Sequence, residues 1–185
     1  MRIVFLDRDG VINKYPGDTE YVKSWEEFEL LPRVTAALKK LKTHGFEVVI
    51  VSNQAGVSKG LYSQEALDAM TQNMLDEFAK AQVTIREVHY CTHRTEDNCN
   101  CRKPKIGLVE KTIDALAKEG LEIDIEKSFF IGDTIRDIQT GKAAGLKTLL
   151  VFSGKEKPEN KQNWESIPDF TALDLFEAAE LVISH

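Results

Sequence analysis

A chain of 185 residues, of which 42% are hydrophobic, has the length of one domain and enough apolar side chains for a core. Its net charge of -6 excludes the broad basic face with which most nucleic-acid-binding proteins contact phosphates, although a few local cations suffice for a small phosphorylated ligand. No apolar run approaches the roughly 18 residues of a membrane-spanning helix. The sequence therefore predicts one domain over residues 1–185 that binds neither nucleic acid nor a membrane.

The first residues include the charged Arg2 and Asp7 and lack the apolar stretch of a secretion signal. The chain has three cysteines, an odd number that does not suggest a set of disulfide bonds. Reduced thiols are typical of the cytoplasm, so we expect a cytoplasmic protein.

Five short apolar runs, each ended by polar or turn-forming residues, are typical of buried strands. In chain order they are residues 2–6, 48–51, 88–90, 128–131 and 148–152. Five segments with apolar residues at helical spacing follow them: one from Pro32 that stops near Gly45, one after an N-cap at Ser63, then residues 107–118, 135–144 and 172–183. Strands that alternate with helices predict an α/β fold, a doubly wound, mostly parallel, Rossmann-like sheet with helices on both faces.

Polar side chains follow the predicted strands at the point where each strand ends. The carboxyl ends of parallel strands lie at one edge of a sheet, which is where ligands bind in such folds. We therefore expect these side chains to share one site. They are Asp7 and Asp9 after the first strand, Ser52 and Asn53 after the second, Lys103 beyond the third, and Asp133 and Asp137 after the fourth.

This set of residue types suits the transfer of a phosphoryl group. Asp7 and Asp133 can hold Mg²⁺, a hard cation that prefers carboxylate oxygens and water. Asp7 can attack phosphorus to form an aspartyl-phosphate, and Asp9 can protonate the leaving alcohol and later deprotonate water. The hydroxyl of Ser52 and the ammonium of Lys103 can stabilise the phosphoryl oxygens in the transition state.

The same residues lie in four motifs that resemble those of the haloacid dehalogenase superfamily of phosphatases. The motifs are Asp7-Arg-Asp-Gly, Ser52-Asn, Lys103-Pro and Gly132-Asp-x-x-x-Asp137. The resemblance implies that Asp7 is the nucleophile, that Asp9 is the general acid and base, and that Mg²⁺ binds the Asp7 carboxylate, the Asp9 carbonyl and Asp133. It also implies that Asp137 supports Lys103 or a metal-bound water.

The resemblance also bears on how the site is covered. The segment between Gly10 and Ser52 is too short for a large inserted cap domain, because a helix and a strand occupy much of it. We therefore expect an open site covered only by loops, and a monomer.

All three cysteines and one histidine lie in a loop before Lys103, in the pattern Cys-x-His-x₅-Cys-x-Cys. One histidine and three thiolates match the four ligands of a closed structural zinc site. A disulfide between Cys99 and Cys101 would be strained, and the Cys-x-x-Cys pattern of redox pairs is absent. The loop is therefore predicted to be clamped by Zn²⁺ bound to Cys91, His93, Cys99 and Cys101.

Within the superfamily, this loop and the following Arg102-Lys103-Pro104 are similar to those of two groups of phosphatases. One group removes the 7-phosphate of D-glycero-D-manno-heptose 1,7-bisphosphate, a precursor of the lipopolysaccharide core, and the other acts on histidinol phosphate. The five-residue gap from His93 to Cys99 is closer to the second group. The segment Ser52–Tyr62 and the stretches Glu20-Tyr-Val and Phe28-Glu-Leu-Leu-Pro are closer to the first. The resemblance favours the heptose bisphosphate and leaves histidinol phosphate as the alternative.

If the heptose bisphosphate is the substrate, Arg102 is expected to bind its second phosphate or its hydroxyls, since a guanidinium matches phosphate in a bidentate way. The other expected substrate contacts are Asn53, Gln54, Tyr21 and Lys59. The chain departs from the heptose group at two places: Lys59 replaces the more usual arginine, and Thr134 stands where a lysine or arginine is expected.

Two other classes of protein fit part of the pattern. A phosphoacceptor signalling module also combines carboxylates, Mg²⁺ and a lysine on a parallel sheet, but Asp9 is placed to help hydrolyse a phosphorylated Asp7. A zinc-loop nucleic-acid binder would need a basic face, which a net charge of -6 disfavours.

Overall fold

The computed structural model describes all 185 residues, Met1–His185. Its strands are β1 (Arg2–Leu6), β2 (Phe46–Asn53), β3 (Glu87–Cys91), β4 (Phe129–Gly132), β5 (Lys147–Val151) and β6 (Phe170–Ala172). Its helices are α1 (Val34–Thr43), α2 (Gln64–Lys80), α3 (Gly107–Lys118), α4 (Ile135–Ala143) and α5 (Leu175–Ser184). All neighbouring strands are parallel and form one sheet in the order β3-β2-β1-β4-β5-β6.

Both faces of the sheet are buried, which explains why its strands are continuous apolar runs. Along β1, Val4 and Leu6 belong to the core that contains the apolar faces of α1, α2 and α5. The alternating residues Ile3 and Phe5 belong to a smaller core on the opposite face, which includes the apolar side of α3. The predicted doubly wound sheet with helices on both faces is therefore confirmed.

The C-terminal part of the chain differs from the prediction of one helix over 172–183. A sixth strand, β6, pairs with β5, and α5 begins only at Leu175. Asp174 is the N-cap of α5, because its side chain accepts hydrogen bonds from the backbone N–H groups of Phe176 and Glu177. Three residues are too few for the alternation of apolar and polar side chains to be recognised in the sequence. β6 forms because the segment pairs with β5 at the edge of the sheet.

The order of the strands reverses between β1 and β4, which leaves a crevice beyond their carboxyl ends. Asp7 directly follows β1 and Asp133 directly follows β4, so both carboxylates lie at this crevice. No large domain is inserted above it. None of the helices is long and apolar enough to cross a membrane.

Candidate active site

A polar cavity of about 430 Å³ lies at the crevice between β1 and β4. The loops that wall it come from residues 15–21, from the segment after β2, from the cysteine loop and from residues 155–156. The predicted site residues that line it are Asp7, Asp9, Tyr21, Ser52, Asn53, Lys59, Arg102, Lys103, Asp133 and Asp137. Gln54 is the one predicted catalytic or substrate-binding residue that does not line it.

Lys103 lies at the base of the cavity with its ammonium group fully engaged. Its Nζ is 2.9 Å from an oxygen of Asp7, 2.6 Å from an oxygen of Asp137, and donates to the Val51 carbonyl at 3.1 Å. Burial alone would lower the pKa of Lys103, but the charges of Asp137 and Asp7 outweigh it and raise the pKa. The lysine is therefore a fixed positive charge beside the Asp7 carboxylate.

The carboxylates of Asp7, Asp133 and Asp137 lie within 4.8 Å of one another, and Lys103 is the only ammonium in contact with them. Burial raises the pKa of Asp7 to about 6 against the opposing effect of Lys103. Burial, reinforced by the charges of Asp7 and Asp137, raises the pKa of Asp133 well above its usual range. When ionised, the three carboxylates carry more negative charge than Lys103 balances, and a divalent cation would neutralise the excess.

The donors of this cluster fit Mg²⁺. One oxygen of Asp133 accepts a hydrogen bond from the Lys155 backbone at 2.8 Å, while the other accepts none from the protein. The carbonyl oxygen of Asp9 is also free of protein donors. Both oxygens of Asp137 are engaged, one with Lys103 and the other with the N–H and hydroxyl of Thr134. The geometry therefore suits Asp7, Asp9 and Asp133 as the ligands, with Asp137 supporting Lys103.

Asp9 is held by several donors behind the cavity wall. Arg8 donates to it through Nε at 3.1 Å and Nη2 at 2.9 Å, Asn13 donates at 2.9 Å, and Gln54 donates at 2.9 Å. Burial opposes ionisation, but Arg8, Asn13 and Gln54 together lower the pKa of Asp9. In this arrangement Asp9 is a carboxylate, the form that a general base requires.

The side chain of Gln54 is 1% exposed, so the expectation that it lines the sugar does not fit the structure. Its Nε2 donates to Asp9 and to the Ser52 hydroxyl, and its Oε1 accepts from Tyr62 at 2.7 Å. Every polar atom of the amide is used inside the protein. Gln54 orients Asp9 and Ser52 from below the cavity.

Asn53 lies at the cavity wall but is also engaged elsewhere. Its Oδ1 accepts from the backbone N–H of Lys103 at 3.1 Å, and its Nδ2 donates to the carbonyl of Lys103 at 3.2 Å. This pair of bonds joins the end of β2 to the backbone that carries Lys103. The amide therefore positions the lysine, and its expected contact with the sugar stays a prediction.

The outer wall carries the remaining predicted residues. Lys59 donates to the hydroxyl of Tyr21 at 2.7 Å, and its ammonium lies 5.2 Å from the centre of the Tyr21 ring. Arg102 makes one hydrogen bond, from Nη1 to the carbonyl of His93 at 3.2 Å. All three side chains line the cavity, and their contact with a substrate stays a prediction.

The cysteine loop brings its four predicted ligands together. The sulfur of Cys101 lies 3.2 Å from that of Cys91 and 3.4 Å from that of Cys99, and the sulfurs of Cys91 and Cys99 are 3.6 Å apart. Nδ1 of His93 is 3.2 Å from the Cys101 sulfur and 3.7 Å from the Cys91 sulfur. Zinc about 2.3 Å from each sulfur places the sulfurs about 3.8 Å apart, so the group fits one tetrahedral ion.

Several residues of the site were missed by sequence reasoning. Arg8 lies inside the first motif, yet nothing local indicates that it is 1% exposed and bound to Asp9. Gly154 and Gly10 both lie against the Asp133 carboxylate, where a methyl group would collide with it. These contacts join distant parts of the chain and leave no periodic signal. Arg136 and Lys155 also line the cavity.

Comparisons with known proteins agree with this site. The model of the family described as polynucleotide kinase 3 phosphatase matches residues 2–175. A D-glycero-D-manno-heptose-1,7-bisphosphate 7-phosphatase of Chlorobaculum tepidum is 35% identical over 96% of this chain and 92% of its own length. A D-glycero-beta-D-manno-heptose-1,7-bisphosphate 7-phosphatase of Pasteurella multocida is 36% identical over 93% of this chain and 96% of its own.

A solved structure gives the same result. The D,D-heptose 1,7-bisphosphate phosphatase of B. bronchiseptica, complexed with magnesium and phosphate, superposes with a TM-score of 0.85 at 28% identity and covers 100% of this chain and 99% of its own. The family model, the relatives and this structure are all described as phosphatases, and the solved structure has the fold described above. The chain therefore belongs to the haloacid dehalogenase superfamily of phosphatases, in the family described as polynucleotide kinase 3 phosphatase, and is a phosphoric monoester hydrolase.

Proposed function

We propose that this enzyme removes the 7-phosphate of D-glycero-D-manno-heptose 1,7-bisphosphate through an aspartyl-phosphate on Asp7. The observation that carries this proposal is the contact between Asp7 and Lys103 at the base of a polar cavity whose outer wall carries further cations. The relatives named for this reaction cover nearly the whole chain. We further propose that the enzyme is a single domain, acts as a monomer and works in the cytoplasm, where its three thiols stay reduced.

In the first half of the proposed reaction, a carboxylate oxygen of Asp7 attacks phosphorus. The bond between phosphorus and the sugar oxygen breaks, and the proton of Asp9 passes to that oxygen. Lys103 and the Ser52 hydroxyl stabilise the charge on the phosphoryl oxygens. Because Arg8 and Gln54 hold Asp9 as a carboxylate, its protonation requires that substrate binding loosen these contacts.

In the second half, Asp9 takes a proton from a water molecule whose oxygen attacks the phosphorus of the aspartyl-phosphate. The bond between phosphorus and Asp7 breaks, which releases inorganic phosphate and restores the Asp7 carboxylate. The lowered pKa of Asp9 favours the carboxylate form, from which this second step starts.

Two metal ions complete the proposal. Mg²⁺ would be held by Asp7, the Asp9 carbonyl and Asp133, and when bound it would neutralise the dianionic phosphoryl group. Zn²⁺ would be held by the cysteine loop as a structural ion. The excess of carboxylates at one site and the tetrahedral set of soft donors at the other support this assignment.

The substrate is tested by steady-state assays of the purified enzyme with Mg²⁺. We expect the heptose 1,7-bisphosphate, supplied as separate α and β anomers, to give the highest kcat/KM, with release of the 7-phosphate checked by NMR. Histidinol phosphate and a 3′-phosphorylated oligonucleotide are the comparison substrates. A higher kcat/KM for either of them would overturn the proposal.

The position of Gln54 gives a further prediction. Replacing Gln54 with leucine removes the amide donor to Asp9, so we expect kcat to fall about tenfold with KM little changed. The free energy of unfolding should fall by about 1–3 kcal/mol, because the buried hydroxyl of Tyr62 loses its acceptor. Initial rates and urea unfolding measure the two effects.

A double variant separates the two effects. Gln54→Leu combined with Tyr62→Phe removes the Tyr62 hydroxyl that would lack an acceptor, so most of the free energy of unfolding should recover while kcat stays low. If Gln54 instead contacted the sugar, the Gln54→Leu variant would show a raised KM at unchanged kcat.

A further inference from the structure

A second cleft, of about 230 Å³, opens beside the active-site cavity, between the cysteine loop and the start of α4. Its wall carries no carboxylate and four basic side chains, which are Arg102, Lys103, Lys105 and Arg136. Arg102, Lys103 and Arg136 also line the main cavity, so the two spaces share a wall. The cleft is therefore a purely cationic extension of a cavity that is otherwise rich in acidic residues.

Two of these four cations are already occupied. Lys103 is held by two carboxylates at the base of the cavity. Lys105 donates to the carbonyl oxygens of Asn98 and Cys99 and so ties down the cysteine loop. Both ammonium groups are used within the protein, which leaves the two arginines to bind a ligand.

Both arginines are available. Arg102 makes a single hydrogen bond, to the His93 carbonyl, and most of its N–H groups remain without an acceptor. Arg136 is exposed and its guanidinium takes part in none of the ion pairs or side-chain hydrogen bonds of the protein. An arginine without a partner at the wall of a cationic cleft is a strong site for an anion.

The start of α4 adds to the positive potential of the cleft. Arg136 is the second residue of this helix, whose first N–H groups carry a partial positive charge. Thr134, which precedes the helix, is neutral and donates its hydroxyl to Asp137 at 2.6 Å. Arg136 is therefore the residue of this helix start that brings a full positive charge to the cleft.

We propose that Arg136 joins Arg102, which the family resemblance already assigns to the second phosphate, in binding the phosphate group that is not hydrolysed, and that Arg136 makes the enzyme selective for bisphosphates. Each guanidinium can donate two parallel N–H hydrogen bonds to the oxygens of the same phosphate. A neutral or cationic substrate group in that place has no such anionic oxygens to accept them. The inference rests on the proposed function in one respect, that the substrate carries a second phosphate. It also disfavours histidinol phosphate, whose ammonium group would face two positive charges.

The test compares a bisphosphate with the corresponding monophosphate. For Arg136→Gln we expect KM for the heptose 1,7-bisphosphate to rise at least about tenfold, with kcat within about twofold of the wild type. The kcat/KM for heptose 7-phosphate, which lacks the distal phosphate, should stay unchanged. Arg136→Lys should restore part of the affinity, since a lysine keeps the charge but loses the paired donors.

Lys142→Gln is the matched control, because Lys142 lies exposed on the same helix, away from both spaces, and the substitution removes the same charge. It should leave both substrates unaffected. An equal effect of Arg136→Gln on bisphosphate and monophosphate, or no effect on either, would overturn the inference.

Binding to an inactive protein distinguishes this inference from the proposed function. In Asp7→Asn, calorimetry should show that adding Arg136→Gln weakens binding of the heptose bisphosphate at least about tenfold. A wild-type enzyme that fails to hydrolyse the bisphosphate contradicts the proposed function, whereas equal affinities of the two inactive proteins contradict the subsite.

Discussion

Replacing Asp7 with asparagine is expected to lower kcat by a factor of about 10⁴ or more, because an amide cannot form the covalent intermediate with phosphorus. The fold should survive, since Asn can still accept the hydrogen bond that the Arg8 backbone now gives to Asp7 at 2.7 Å. Lys103 keeps its contacts with Asp137 and Val51. Initial rates with the heptose bisphosphate and far-ultraviolet circular dichroism measure these two outcomes.

Asp18→Asn is the matched control for the loss of a carboxylate from the same cavity. Asp18 lies at the rim, 2.6 Å from the ammonium of Lys155 and 2.7 Å from the hydroxyl of Tyr15, away from the base. Its substitution should change kcat by less than about threefold, as exposed ion pairs contribute little. Turnover of the Asp7→Asn protein at more than a few per cent of the wild-type rate would contradict the covalent mechanism.

The Asp7→Asn variant should also unfold at the same or a higher temperature than the wild type in the absence of divalent ions. The pKa of Asp7 is raised from 3.8 to about 6 in the folded protein. Stability that is present at acidic pH is therefore lost as the pH rises toward and through 6, because the folded carboxyl holds its proton more tightly than the unfolded one. Asparagine removes this dependence. Calorimetric scans between pH 4 and 8 would detect it.

Added Mg²⁺ should reverse the order of the two proteins. A cation that binds the folded state raises its stability with the logarithm of its concentration relative to its Kd, so tighter binding stabilises more. The wild type offers one more carboxylate to the ion. The melting temperature of the wild type should therefore rise more than that of Asp7→Asn. Equal shifts would mean that Asp7 is not a ligand.

The carboxyl ends of the strands could be predicted because each apolar run changes abruptly to polar residues. Asp7 and Asp133 follow such runs directly, and the topology of a parallel sheet then places them at one crevice without further information. The cysteine loop could be predicted for a different reason. Three cysteines and one histidine at this spacing are typical of a structural zinc site and of few other sites.

The network beneath Asp9 could not be predicted, because it joins residues that are far apart in sequence. Gln54 reaches Asp9 across 45 positions, and Arg8 packs between the rings of Phe28 and Tyr90 at 5.7 and 5.8 Å. The residues that flank Gln54 in the sequence are equally compatible with an exposed position in a loop. Burial of its amide follows from the three-dimensional packing of the loop after β2, which no local pattern records.

The strand β6 at the edge of the sheet could not be predicted either, because it also depends on contacts between distant residues. Residues 170–172 become β6 because they lie next to β5, where Asp169 accepts hydrogen bonds from the N–H and hydroxyl of Thr148 at 2.7 Å each. Their sequence alone is compatible with the first turn of the following helix. Tertiary pairing decides between the two.

Removal of one zinc ligand, in Cys99→Ala, is expected to disorder the cysteine loop and to lower kcat about 10²-fold. The sulfur of Cys99 lies 3.4 and 3.6 Å from those of Cys101 and Cys91, so its loss opens one corner of the tetrahedral set. Lys103 follows Cys101 by two residues, and a displacement of its ammonium by about 1 Å is enough for a loss of this size.

Metal analysis, hydrogen exchange and kinetics test this expectation together. The wild type should contain one zinc per chain and the variant much less, while amides of residues 92–101 exchange faster in the variant. Thr95→Ala, a change in the same loop that removes no ligand, should match the wild type in all three measurements. Wild-type protein that lacks bound zinc would refute the metal site itself.

A variant that loses zinc yet keeps its activity would have a different meaning. Lys103 is also anchored by the two hydrogen bonds between its backbone and Asn53. If these bonds alone hold the lysine, Cys99→Ala should keep its kcat, and Asn53→Ala should lose it. We expect the opposite result, in which Cys99→Ala lowers kcat more than Asn53→Ala does. Residues 92–101 form no helix or strand of their own, so the metal cluster is needed to order the loop, and Asn53 only refines the position of Lys103. Loss of kcat in Cys99→Ala that exceeds the loss in Asn53→Ala would establish that order.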